Sequence, residues 1–108
     1  MISDLSHLVA SLKIAVRVKG LGVSEPSIWS PWINEPERGY VELKGLGPVP
    51  TDALDWVEIN PVENRYQGRL VAPKAIDHSV EVRDFFDRRS TPFLCLETGV
   101  RVDLGKLV

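Results

Sequence analysis

The chain has 108 residues, is 44% hydrophobic and 26% charged, and carries a formal net charge of -2. That length fits one domain with one core, and the apolar content is too high for a disordered chain. Positive and negative residues nearly balance in both halves, which leaves no basic face for nucleic acid and no charged tail.

A single cysteine, Cys95, excludes an internal disulfide framework. The start, Met1-Ile2-Ser3-Asp4, has neither a basic region nor a sustained apolar run, and no stretch approaches the roughly 20 apolar residues of a bilayer span. The expectation is a cytoplasmic protein of one domain, residues 1–108.

Leu5, Leu8, Val9 and Leu12 recur at helical spacing behind Ser3 and Asp4, which predicts a short N-terminal helix. The period then changes to two. Ile14, Val16 and Val18 alternate with Lys13, Arg17 and Lys19, the pattern of a half-buried strand closed by Gly20 and Gly22. Residues 20–39 hold Pro26, Pro31 and Pro36 and read as a long loop, with at most an isolated edge strand. Residues 39–44 alternate again as a second strand, and the Gly45–Pro50 stretch reads as a turn. Thr51–Leu54 suits one helical turn. Asp55–Ile59, with Trp56 assigned to the core, reads as a third strand, and Asn60-Pro61 stops it. Residues 62–67 read as polar loop, and Gly68–Ala72 as a fourth strand before Pro73.

The longest helix is predicted over about 77–89, capped by Asp77 or Ser79, with an apolar face of Ile76, Val80, Val82, Phe85 and Phe86. A final hairpin pairs 93–97 with 100–104 across Thr98-Gly99, which sets Phe93, Cys95, Val102 and Leu104 on its core face. The implied fold is α+β: a two-layer sandwich with a mostly antiparallel sheet of five to six strands, the long helix across one face and the short N-terminal helix beside it.

The chemical motifs are sparse. Gly20-Leu21-Gly22 and its echo Gly45-Leu46-Gly47 lack the third glycine and the helix of a dinucleotide fingerprint, so both read as turns. Asp77-His78-Ser79 contains the residue types of a hydrolytic triad, but adjacent residues point apart and cannot relay a proton in series. Two histidines, His7 and His78, and one cysteine give no metal-ligand spacing, so neither metal nor cofactor is expected. Trp29-Ser30-Pro31-Trp32 stands out: two tryptophans in a proline-rich loop either plug the core or anchor a partner. With Glu35, Glu37 and Arg38 they form the candidate partner-binding set. Two other uses of the chain remain open: a ligand-binding or catalytic cleft near Asp77, His78 and Glu58, and a homodimer sealed by the apolar tail Leu104–Val108.

In the C-terminal half, Trp56-Val57-Glu58-Ile59-Asn60-Pro61, Gly68-Arg69-Leu70-Val71, Ile76-Asp77-His78-Ser79, Pro92-Phe93 and Gly99-Val100-Arg101-Val102 together resemble small uncharacterised bacterial proteins of domain-of-unknown-function type, some of them immunity-like. The resemblance implies a non-enzymatic bacterial interaction protein whose partner is another protein, such as a toxin. It carries over no functional residue.

Overall fold

A computed structural model describes residues 2–31, 37–43 and 47–103. The element order is α1 (Ile2–Leu12), β1 (Ala15–Gly20), β2 (Tyr40–Leu43), β3 (Gly47–Pro50), a 3₁₀ turn (Thr51–Ala53), β4 (Leu54–Asn60), β5 (Val62–Arg65), β6 (Lys74–Asp77), α2 (Ser79–Arg88), β7 (Leu94–Leu96) and β8 (Gly99–Asp103). The fold is α+β and every strand pairing is antiparallel. The expected single sheet of five or six strands is instead a four-stranded sheet, ordered β1-β4-β8-β7, and two separate ribbons, β2-β3 and β5-β6.

The four-stranded sheet follows from alternation. Val16, Val18, Val57, Ile59, Val100 and Val102 all point to one face and are buried. They form one core with Leu5 and Val9 of α1 and Val82, Phe85 and Phe86 of α2. The Phe86 ring meets Phe85 edge-on and lies 6.2 Å from Phe93. Arg89, just past α2, approaches Asp4 of α1 at 3.6 Å and ties the two helices at the surface.

Both helices end without glycine. Lys13 (φ 56°) and Ser90 (φ 52°) take the left-handed conformation. The bonds Ile14 N–H to Val9 C=O and Lys13 N–H to Ala10 C=O close α1, and Thr91 to Phe86 with Ser90 to Asp87 close α2. This pairing of bonds is the Schellman motif, and it sends the chain directly into β1 after α1.

Several expectations are corrected. The C-terminal helix has 10 residues and starts at Ser79; α1, with 11, is the longer of the two. Ile76 lies in β6, and Val80 is exposed. Pro48 and Pro50 do not prevent β3, because both sit in a two-stranded ribbon where a missing donor faces away from the partner. The polar segment after Pro61 is β5, whereas Gly68–Ala72, read as a strand, is the loop joining β5 to β6. The final hairpin turns at Glu97-Thr98, not Thr98-Gly99, so Cys95 opposes Val100 rather than Val102. A two-residue slip keeps each side chain on its face. Cys95 is nonetheless exposed, because β7 is the sheet's edge. Leu104–Val108 lies outside the described residues.

Candidate functional site

The face of the four-stranded sheet opposite the core carries the polar half of each alternation. Register brings Arg17 of β1, Glu58 of β4 and Arg101 of β8 into one row across three strands. Glu58 is fully buried beneath its neighbours. Arg17 donates from Nη2 to Glu58 Oε2 at 3.0 Å, and Arg101 donates from Nη2 to Oε1 at 2.9 Å. Burial pushes the Glu58 carboxyl pKa up, but hydrogen bonds from Arg101, Thr98 and Arg17, with the Arg17 charge, outweigh it and hold the pKa below the ordinary value. Both carboxylate oxygens are thus committed, and the group holds its two arginines in place.

Tryptophan rings sandwich this row. The outer edge of β1 is covered by the loop that follows it: Val16 and Ser30 exchange backbone hydrogen bonds, and Val18 N–H donates to the buried Ser27 hydroxyl. This antiparallel bridge sets Trp29 beside Arg17, whose guanidinium carbon lies 4.6 Å from the ring centre. Trp56 stands next to Glu58 on the same face. Arg101 lies 4.0 Å from its ring centre and Arg17 6.0 Å. Trp56 is therefore not a core residue as expected but a half-buried member of the outer face. The Nε atoms of both arginines are buried without a hydrogen-bond partner, a cost accepted where the planar cations stack on indole. A groove of about 330 Å³, lined by Trp56, Arg101, Phe93, Leu94, Asp55 and Asp103, continues the face toward β7.

Of the five expected contact residues, Trp29 is placed on this face, and Glu37 and Arg38 are exposed in the turn before β2. Trp32 and Glu35 lie outside the described residues. Sequence reading missed Arg17 and Arg101. Their signal was a charged residue at the polar position in the middle of an otherwise apolar-alternating strand.

Glu58 and His78 belong to separate clusters. His78 Nε2 lies 2.9 Å from Glu63 Oε1, and Arg65 bonds the same carboxylate at 3.1 Å. Hydrogen bonds from Arg65 and His78 lower the Glu63 pKa. Asp77 accepts from both the backbone N–H and the hydroxyl of Ser79, which depresses its pKa in turn. The expected cap by Asp77 or Ser79 is thereby corrected: His78 occupies the N-cap position and makes no side-chain cap bond, and Asp77, one residue earlier, closes an Asx-type turn onto Ser79. With the Ser79 hydroxyl on Asp77 and the imidazole on Glu63, the three adjacent residues form no relay. Among the described residues no group of three or more His, Cys, Asp or Glu is placed to hold a metal ion, and no helix is long and apolar enough to cross a membrane.

A family of unknown function, DUF6678, matches residues 5–103. The chain belongs to the DUF6678 family. The match runs from within α1 to the end of β8, so most of α1, all of α2, the sheet and the Arg-Glu-Arg row lie within the family domain, not only the C-terminal half. No curated protein and no solved structure matches the chain.

Proposed function

We propose that this DUF6678 protein is a non-enzymatic protein-interaction module. It binds through the outer face of the four-stranded sheet together with the 25–40 loop, whose residues 27–30 lie against the edge strand β1. The observation that carries this reading is the row Trp29–Arg17–Glu58–Arg101 with Trp56 beside it, on a sheet face that neither helix covers. Trp and Arg dominate the energetics of protein interfaces. Here the arginines are already oriented by Glu58 and by stacking, so little side-chain freedom remains to be lost on binding. Glu37 and Arg38, exposed in the turn before β2, are assigned to the polar part of the proposed surface. The mode of action is steric cover of the partner, as expected of an immunity-like or regulatory protein in the bacterial cytoplasm.

The test compares tagged wild type with Trp29→Ala and Trp56→Ala chains as baits in a cell lysate, followed by affinity measurement on the recovered partner. Each truncation is expected to weaken binding by about 2 kcal/mol or more, roughly 30-fold. Full affinity in the folded double variant overturns the assignment.

A further inference from the structure

The β5–β6 hairpin ends in a loop, residues 66–73, that holds the two most exposed large apolar side chains among the described residues, Leu70 and Tyr66, with a third, Val71, beside them. Leu70 is 99% exposed, Tyr66 73% and Val71 56%. The same stretch is basic. Between Asn64 and Ile76 the sequence has Arg65, Arg69 and Lys74 and no acidic residue, within a chain of net charge -2. Arg65 and Lys74 are direct cross-strand partners. Like charges in that position weaken a hairpin, so folding alone does not account for them. Glu63 offsets Arg65 from the side, at 3.1 Å. Arg69 and Lys74 form no ion pair among the described residues.

An apolar apex with a basic collar is the arrangement of a segment that enters the boundary between lipid headgroups and acyl chains. We propose that the 66–73 finger docks on an anionic lipid surface. Leu70 and Val71 enter the boundary, Tyr66 sits at headgroup level, and Arg65, Arg69 and Lys74 face the lipid phosphates and carboxylates. Two features favour lipid over an acidic protein as the occupant. Leucine and valine are under-represented among protein hot spots, and a convex, fully exposed tip needs no matching cavity in a bilayer. Two aliphatic side chains and three cations give weak, reversible attachment. The proposal goes beyond the protein-interaction reading and is independent of it, since it uses a different surface.

The experiment is co-sedimentation of the full chain with phosphatidylcholine–phosphatidylserine vesicles and with pure phosphatidylcholine vesicles. Binding is expected on the former and is expected to fall with added salt. Leu70→Asp, and separately Arg69→Glu with Lys74→Glu, are each expected to reduce partitioning roughly tenfold or more. Both variants change only exposed groups, so an unchanged circular dichroism spectrum and melting temperature confirm their fold. No sedimentation with anionic vesicles overturns the proposal, as does sedimentation that neither variant weakens. Retention of the wild type on immobilised polyglutamate without vesicle binding overturns it in favour of an acidic protein.

Discussion

Gly99 opens β8 at φ 155°, pressed against the backbone of β4. A Cβ built there would collide with the Ile59 carbonyl oxygen, and Ile59 is itself a fully buried core residue that has no room to retreat. The residue has two demands on it, an unusual dihedral angle and a close approach of two backbones, and glycine alone meets both. Gly99→Ala is therefore expected to destabilise the fold by about 3 kcal/mol or more, read as a lower urea midpoint. The damage would reach the outer face, because Arg101, two positions further along β8, hydrogen-bonds Glu58. An unchanged midpoint would mean that β8 does not pass this close to β4.

Each helix end places a non-glycine residue in the left-handed region to turn the chain. Ser90 is exposed and follows the last residue of α2 by two positions. Its conformation costs a side-chain-bearing residue about 1 kcal/mol that glycine avoids. Ser90→Gly is accordingly expected to raise the melting temperature, by about 0.5–1 kcal/mol of stability, whereas Ser90→Val should lower it. The same element scale explains what could be read from the sequence. Strands β1, β2, β4 and β8 were legible because burial on one side, at Val41 in β2 for example, writes a period of two into the residues. Strands β3, β5 and β6 carry no buried apolar residue, and β5 (Val62–Arg65) shows only Glu63 buried, held by Arg65 and His78. Conversely, Leu70 and Val71 look like strand residues but point into solvent. Of the expected contact set, Trp29 lies on the outer face because the loop after β1 runs against that strand, Glu37 and Arg38 are exposed before β2, and Trp32 and Glu35 lie outside the described residues. The Arg17–Glu58 and Glu58–Arg101 pairs join residues 41 and 43 positions apart. Only the register of three strands brings them together, and no local pattern encodes that register.

At the scale of the whole molecule, the helices enclose one face of the sheet and leave the other to an ion-pair row, so stability has an apolar side and a charged side. The apolar side is indifferent to pH; the charged side is not. Glu58, Glu63 and Asp77 all have pKa values lowered in the folded state. A carboxyl group with a depressed folded pKa contributes stability that is fully present above its unfolded value, 4.5 for glutamate and 3.8 for aspartate, and is lost as pH falls through the folded value. The melting temperature is therefore expected to be flat from neutral pH down to about pH 5 and to fall below it. Glu58 is the group on which this acid limb can be tested, because it alone is fully buried and holds two arginines. Glu58→Gln keeps the shape but removes the charge, leaving Arg17 and Arg101 facing each other. Since both arginines are partly open to water, the cost at neutral pH is about 2 kcal/mol rather than the full penalty of a buried unpaired ion. The variant has less ion pairing to lose, so its melting temperature should decline less steeply below pH 5 than that of the wild type. Parallel acid limbs in the two proteins would show that Glu58 does not hold the outer face through its charge. The same pair of curves bears on the interaction surface. If the row orders the arginines for binding, Glu58→Gln at neutral pH should weaken the partner more than its modest loss of stability explains, because the guanidinium groups would no longer be pinned beneath Trp29 and Trp56.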